Sequence, residues 1–211
     1  MSDLRFDGRV AVITGAGRGL GRAYALLLGS LGAKVVVNDL GSAIKGEGAD
    51  AGPAEEVAQE IRDAGGEAIA NCDSVATPEG GRAIVQAAID TWGRIDVLIH
   101  NAGNVRYGTL AELSDEDFEA VLSVHMRGAF NVVRAAHPLM CAANYGRIVL
   151  TSSVSGIYGN KAVTNYAMSK TAMIGLSNVA GLEGEPFNVK SNLIVPAAVT
   201  RMADGLDTSQ Y

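Results

Sequence analysis

Two side chains of this 211-residue chain could do acid–base chemistry together. In Tyr166-Ala167-Met168-Ser169-Lys170 the tyrosine and lysine stand at i and i+4, which puts them on one face of a helix. An ammonium beside a phenol favours the phenolate and lowers its pKa from about 10 toward neutrality, making a usable general acid or base. The same spacing also arises in helices with no active site, so it needs company. A second stretch offers some: VAVITGAGRGLG, residues 10–21, reads as an apolar strand running into a glycine-rich turn that opens a helix. Free backbone N–H groups at such a helix N-terminus can hold a pyrophosphate. The spacing is G-x-x-x-G-x-G and not G-x-G-x-x-G, and glycine-rich turns also occur without ligands, so the loop alone leaves dinucleotide binding open.

The elements that must position these groups alternate between strand and helix. Residues 20–31 carry apolar side chains at helical spacing and stop at Gly32. Residues 34–38 (KVVVN) form a second strand with Asp39 at its C-terminal end. This unit is about 30 residues long, the size of a dinucleotide half-site, and sets an acid ~20 positions past the loop, where a ribose hydroxyl needs an acceptor. A polar, Gly-rich insertion (GSAIKGEGADAG, residues 41–52) reads as a loop, and Pro53, Glu55, Glu56 and Gly65 bracket the helix after it.

Residues 67–70 form a short third strand followed by Asp73 and Ser74, and a helix runs from Thr77-Pro78-Glu79 to Trp92-Gly93. A fourth strand, 96–100, ends in Asn101-Ala102-Gly103. Ser114, three residues before Asp117, resembles a capping box ahead of a long amphipathic helix at 118–136 that contains His125. A fifth strand, 147–151, ends in Ser152-Ser153; a helix follows at 165–182, and a sixth strand, 189–195, closes at Pro196. The alternation predicts a parallel sheet covered on both faces by helices. Ligands bind such sheets beyond the C-terminal strand ends. That rule gathers the loop at Gly15, Asp39, Asp73, Asn101, Ser152/Ser153 and Pro196 to Thr200 into one rim beside Tyr166 and Lys170.

Composition narrows the partners. With 48% hydrophobic residues the chain supports one domain, residues 1–211. A formal charge of −6 with no basic block offers no footprint for nucleic acid or an anionic membrane. Cys72 and Cys141 lie far apart, which indicates neither a metal site nor a disulfide, and two buried thiols are expected. The N-terminus has no apolar signal region, no run approaches ~18 apolar residues, and the terminal Ser-Gln-Tyr is not a peroxisomal address. A soluble, cytoplasmic protein is the expectation.

TGAGRGLG at 14–21, NAG at 101–103, Ser153 and YAMSK at 166–170 together resemble the short-chain dehydrogenase/reductase family. Ser153 precedes Tyr166 by thirteen residues, the family's usual separation. The resemblance implies a three-layer, Rossmann-type, doubly wound parallel sheet whose six visible strands run in the order 3-2-1-4-5-6. The resemblance implies that Tyr166 exchanges the proton of the substrate hydroxyl, Ser153 hydrogen-bonds the carbonyl oxygen, and Lys170 depresses the Tyr166 pKa and holds the nicotinamide ribose. It implies cofactor contacts at Gly15, Arg18, Gly19, Leu20, Gly21, Asp39, Asp73, Ser74, Asn101, Ala102, Gly103, Tyr166, Lys170, Pro196 and Thr200, with no metal. Hydride would pass between the nicotinamide and the carbon of a secondary alcohol or ketone.

Where the family usually places an Asn whose backbone carbonyl holds a relay water, this chain has His125. The relay would use the imidazole, the same carbonyl, or neither. VVNDLG with its insertion, RIDVLIHNAG, VHMRGAF and TSSVSGIYGN more narrowly resemble the (3R)-hydroxyacyl-CoA dehydrogenase unit of the peroxisomal multifunctional β-oxidation enzyme. That resemblance implies a 3-hydroxyacyl-CoA substrate, with a steroid or small-alcohol dehydrogenase, or a non-catalytic nucleotide-binding regulator, as the alternatives.

Arg18 suits NADP, but Asp39 would face a 2′-phosphate with a like charge, so NAD is expected over NADP. Only Arg201 to Tyr211 follow Thr200, where family members continue for several dozen residues, so the seventh strand is expected to be missing. A homodimer or homotetramer packed through the helices at 118–136 and 165–182 is also implied.

Overall fold

Short runs of Val, Ile and Ala become strands because β-branched side chains fit a pleated surface buried on both faces. The structure is a computed structural model that describes residues 4–43 and 45–196. Its strands are β1 (Val10–Thr14), β2 (Lys34–Asn38), β3 (Glu67–Asn71), β4 (Val97–His100), β5 (Gly146–Thr151) and β6 (Val189–Ile194). All pair in parallel, as the alternation predicts, and in the order β3-β2-β1-β4-β5-β6 that the family resemblance implies. The register aligns Thr14 with Asn38 on one side and His100 on the other, so the ends of β1, β2 and β4 share one edge.

Period-two alternation sends successive side chains to opposite layers. Val10, Val12, Leu98, Ile148 and Leu150 meet α3 (Pro78–Trp92), α5 (Gly128–Ala142) and α7 (Thr164–Gly184) through Ile84, Val132, Met140 and Met173. Ala11, Ile13, Val35, Val37 and Ile99 meet α1 (Gly19–Ser30) and α2 (Gly52–Asp63) through Ala25, Leu28, Val57 and Ile61. Caps fix several helix starts: Thr77 accepts the Gly80 N–H at 3.0 Å ahead of α3, and Ser114 accepts the Asp117 N–H at 3.1 Å ahead of α4 (Asp115–Leu122). Asp96, just before β4, accepts the Val10 N–H at 2.9 Å and so ties β4 to β1.

Three local expectations differ from the structure. The helix expected over 118–136 is α4, then a wide π-type turn at Ser123–Arg127, then α5; one inserted residue shifts the helical phase, and His125 sits in that insertion. A short helix, α6 (Val154–Tyr158), was not expected, since five residues carry no readable period. Cys72 is exposed and Cys141 only half-buried, because β3 is the sheet edge and the chain beyond it leaves the core.

Candidate active site

At the glycine loop, side chains are excluded by the backbone itself. A Cβ on Gly15 would lie 2.7 Å from the Ala102 Cα, and one on Gly21 would lie 2.1 Å from the Gly15 carbonyl oxygen. Gly15 and Gly19 hold φ of +64° and +55°, a region glycine enters without strain. Asn101 donates to the Gly15 carbonyl at 3.1 Å, locking the loop to the end of β4. The first turn of α1 contains no acidic residue, and Arg18 before it supplies no side-chain cap. The helix therefore presents Gly19, Leu20 and Gly21 with an uncapped, positive N-terminus, a fit for the pyrophosphate of a dinucleotide. Asp39 takes the Gly17 N–H at 2.8 Å and the Gly41 N–H at 2.7 Å, which fixes its carboxylate beside the loop. Asp73 and Ser74 lie one strand further out: the Asp73 carbonyl accepts from Asn38 at 3.0 Å, and Ser74 Oγ accepts the Ala76 N–H at 3.3 Å. Pro196 ends the described chain, and Thr200 lies outside the described residues.

Ser153, Tyr166 and Lys170 converge beside this cradle. Ser153 caps α6, accepting the Ser155 N–H at 3.2 Å. Burial pushes the Tyr166 phenol above its usual value, the nearby Ser153 hydroxyl opposes the rise, and Tyr107 adds to it. The expectation from the sequence was a phenol depressed by Lys170. Instead Lys170 Nζ donates to the Thr151 carbonyl at 2.7 Å and stands 5.5 Å from the Tyr166 ring centroid. Burial brings Lys170 down to about 7, far below the ordinary lysine value. Gly156 lets α6 approach α7 here, since a Cβ would meet the Lys170 Cβ at 2.7 Å.

Two histidines brace the site from below. Thr14 Oγ1 accepts the N–H groups of Asn101 and Ala102, both at 3.2 Å, so its own proton goes to His100 Nδ1 at 3.0 Å. His100 therefore carries its proton on Nε2 and donates it to the His125 carbonyl at 3.2 Å. Burial, with Lys170 nearby, depresses His100 to about 3 despite that bond, which keeps the ring neutral. The same two causes hold His125 well below its ordinary value. The His125 ring meets Tyr166 edge-on, centroids 5.2 Å apart, while its Nε2 faces the Asn104 N–H at 3.1 Å and the Asn104 carbonyl at 2.8 Å. Gly103 lies against its Cε1.

Among the described residues, three buried polar atoms lack a protein partner: His125 Nδ1, Asn104 Oδ1 and Thr151 Oγ1. All belong to residues in or beside this cluster, and buried polar groups left unpaired by the protein mark places where a ligand or water completes the bonding. Thr14, His100, Asn104 and Asn165 were not singled out as site residues from the sequence. Their positions at strand ends were the available signal for the first three.

A glycine cradle at the end of β1 and a buried Ser–Tyr–Lys cluster share one edge of the parallel sheet, the edge at which open parallel sheets bind ligands. The chain belongs to the short chain dehydrogenase family, whose model matches residues 9–210. It is 50% identical over 203 residues to the peroxisomal multifunctional enzyme type 2 of Drosophila melanogaster, covering 96% of this chain but only 33% of that relative. Among solved structures it resembles a short chain dehydrogenase from Mycobacterium avium with a TM-score of 0.84, 40% identity, and coverage of 93% and 70% of the two chains. It also resembles an NAD+-bound xylitol dehydrogenase, with a TM-score of 0.83, 32% identity and coverage of 90% and 70%. No helix among the described residues is long and apolar enough to cross a membrane.

Proposed function

We propose that this chain oxidises a 3-hydroxyacyl-CoA with NAD, or reduces the corresponding ketone. The observation that carries this reading is the Ser153–Tyr166–Lys170 cluster standing beside an uncapped glycine cradle. Tyr166 takes the substrate hydroxyl proton onto its phenolate oxygen, or returns it, and Ser153 donates a hydrogen bond to the substrate oxygen. Lys170, freed from the Thr151 carbonyl, holds the nicotinamide ribose and brings positive charge toward the phenol, countering the rise that burial imposes. The cofactor, when bound, supplies the hydride acceptor or donor. The loop at Gly15, Arg18, Gly19, Leu20 and Gly21 holds the pyrophosphate, Asp73 and Ser74 border the adenine, and Asn101, Ala102 and Gly103 line the floor beneath the nicotinamide ribose.

NAD is preferred over NADP because Asp39, pinned by Gly17 and Gly41, cannot swing away from a 2′-phosphate without giving up both bonds. Turnover with the two cofactors tests this: an NADP preference in the parent, or an unchanged ratio in Asp39→Ala, overturns it. The 3-hydroxyacyl thioester is favoured by the 50% identity to a multifunctional relative, of which this chain spans a third. NADH formation across a panel of 3-hydroxyacyl-CoAs, steroids and simple secondary alcohols decides the substrate class. Activity surviving Tyr166→Phe overturns the mechanism, and nucleotide binding without turnover favours a regulator. Exposed Phe130 and Leu139 on α5 and Met168, Val179 and Leu182 on α7 suit a homodimer or homotetramer, which light scattering reads directly. The sequence points to the cytoplasm while the Drosophila relative carries a peroxisomal name; cell fractionation chooses between them.

A further inference from the structure

The Gly-rich segment between Asp39 and α2 does not trail into solvent. Its base is closed by the Asp50 N–H donating to the Leu40 carbonyl at 2.9 Å, and its tip folds on itself through Ala43 N–H to Glu47 O and Gly46 N–H to Ala43 O, both 2.8 Å. The tip docks on the loop after β4. Arg106 donates from Nε to the Lys45 carbonyl at 2.8 Å and pairs with Glu47 at 3.4 Å. Gly46 sits so close to Asn104 that a Cβ would lie 2.6 Å from its Nδ2. In the sheet β1 lies between β2 and β4. A segment that leaves β2 and fastens behind β4 must therefore cross the C-terminal end of β1, where the glycine cradle lies.

The anchor of this strap is itself braced. Arg106 also pairs with Asp117 at 3.0 Å, and Asn165 donates to the carbonyls of both Arg106 and Asp117 at 3.1 Å. Asn165 Oδ1 accepts the Tyr166 N–H at 2.8 Å, so the brace stands on the helix that carries Tyr166 and Lys170. We propose that Arg106 is a latch that fastens the turn at Lys45–Glu47 across the nucleotide cleft, so that nucleotide enters and leaves only when the Arg106–Lys45 and Arg106–Glu47 contacts open. This rests on the reading of the cleft as a nicotinamide-nucleotide site. A latch differs from a nucleotide contact in its kinetics: losing a contact speeds release alone, whereas losing a gate speeds entry and release together.

The test uses stopped-flow fluorescence of NADH with the full chain. Arg106→Gln removes the charged donor, and Gly46→Ala pushes the tip off Asn104 without altering the Arg106 side chain or its pairing with Asp117. Each should raise the association and dissociation rates together, release by about tenfold, the scale of one lost charge-assisted hydrogen bond. Unchanged rates in both variants, or faster release with unchanged entry, overturn the latch. Limited trypsin digestion read by mass spectrometry tests the contact without nucleotide. Cleavage after Lys45 should quicken in Arg106→Gln, and equal cleavage in parent and variant overturns the docking itself. A parent that binds no NADH while Arg106→Gln still exposes Lys45 would instead overturn the nucleotide reading of the cleft, and the gating role with it.

Discussion

Gly103→Ala is the substitution whose consequence the geometry fixes most tightly. The added Cβ would lie 2.3 Å from His125 Cε1, 2.9 Å from Nε2 and 3.1 Å from Nδ1, whereas ordinary contact begins near 3.4 Å. The ring must therefore retreat by about 1 Å, or the loop must lift by as much. Neither move is free. Nε2 is held by the Asn104 backbone, and the ring meets the Tyr166 phenol edge-on at 5.2 Å between centroids. Displacement of either partner reaches the Tyr166 phenol, and if that phenol exchanges the substrate proton as proposed, a ~1 Å misplacement costs about a hundredfold in rate. The expected result is a kcat about a hundredfold below parent, with about 1–3 kcal/mol of lost stability from overpacking.

Initial rates of NADH formation measure the first effect, and urea unfolding the second. The decisive comparison is a double-mutant cycle with His125→Asn, whose smaller side chain opens the space the new methyl needs. If the clash is with His125, adding Gly103→Ala to His125→Asn costs almost nothing further, and the two substitutions are strongly non-additive. Gly103→Ala within about threefold of parent, or the same penalty in both backgrounds, would refute the argument that the imidazole is pinned between Gly103 and Tyr166.

Other perturbations read other parts of the structure. Folding pulls Lys170 from the usual lysine value of about 10.4 to about 7. Between those values the unfolded chain holds the extra proton, so stability should rise with pH across the window and decline toward pH 7. Melting curves in the absence of nucleotide should show that slope in the parent and lose it in Lys170→Met; a flat parent profile refutes the burial argument. Asp96 is buried, which would raise its carboxyl, yet bonds from Arg94, the Val10 N–H and Arg9 at 2.7–2.9 Å hold it below its ordinary value. Asp96→Asn should lower unfolding stability by about 3 kcal/mol, and a change under about 0.5 kcal/mol would show that the arginines do not depend on that charge. Gly21→Ala, whose Cβ would stand 2.1 Å from the Gly15 carbonyl oxygen, should abolish NADH binding in a fluorescence titration, and parent-like affinity would remove the cradle from the nucleotide site.

Periodic hydrophobicity was enough to place six strands in a parallel sheet, because the apolar runs are buried between helix layers that each have one apolar side, while the order of the strands came from the family resemblance. Residues that act through a long-range bond carry no such period. His100 reads as the last residue of a strand, and only the fold shows that Thr14, 86 positions away, hands it a proton and so fixes which nitrogen faces the His125 carbonyl. The phase shift at Ser123–Arg127 was equally hidden: the apolar spacing on either side reads as one continuous helix, and the inserted residue changes only where His125 points. The expected lysine–phenol pairing followed from i, i+4 spacing, yet spacing sets which helix face two residues share and not where a flexible side chain ends. Lys170 is buried and its ammonium donates to the Thr151 carbonyl, while burial leaves the Tyr166 phenol raised. On the proposed mechanism, whatever draws Lys170 off Thr151 lowers the phenol and so couples occupation of the ribose position to readiness of Tyr166.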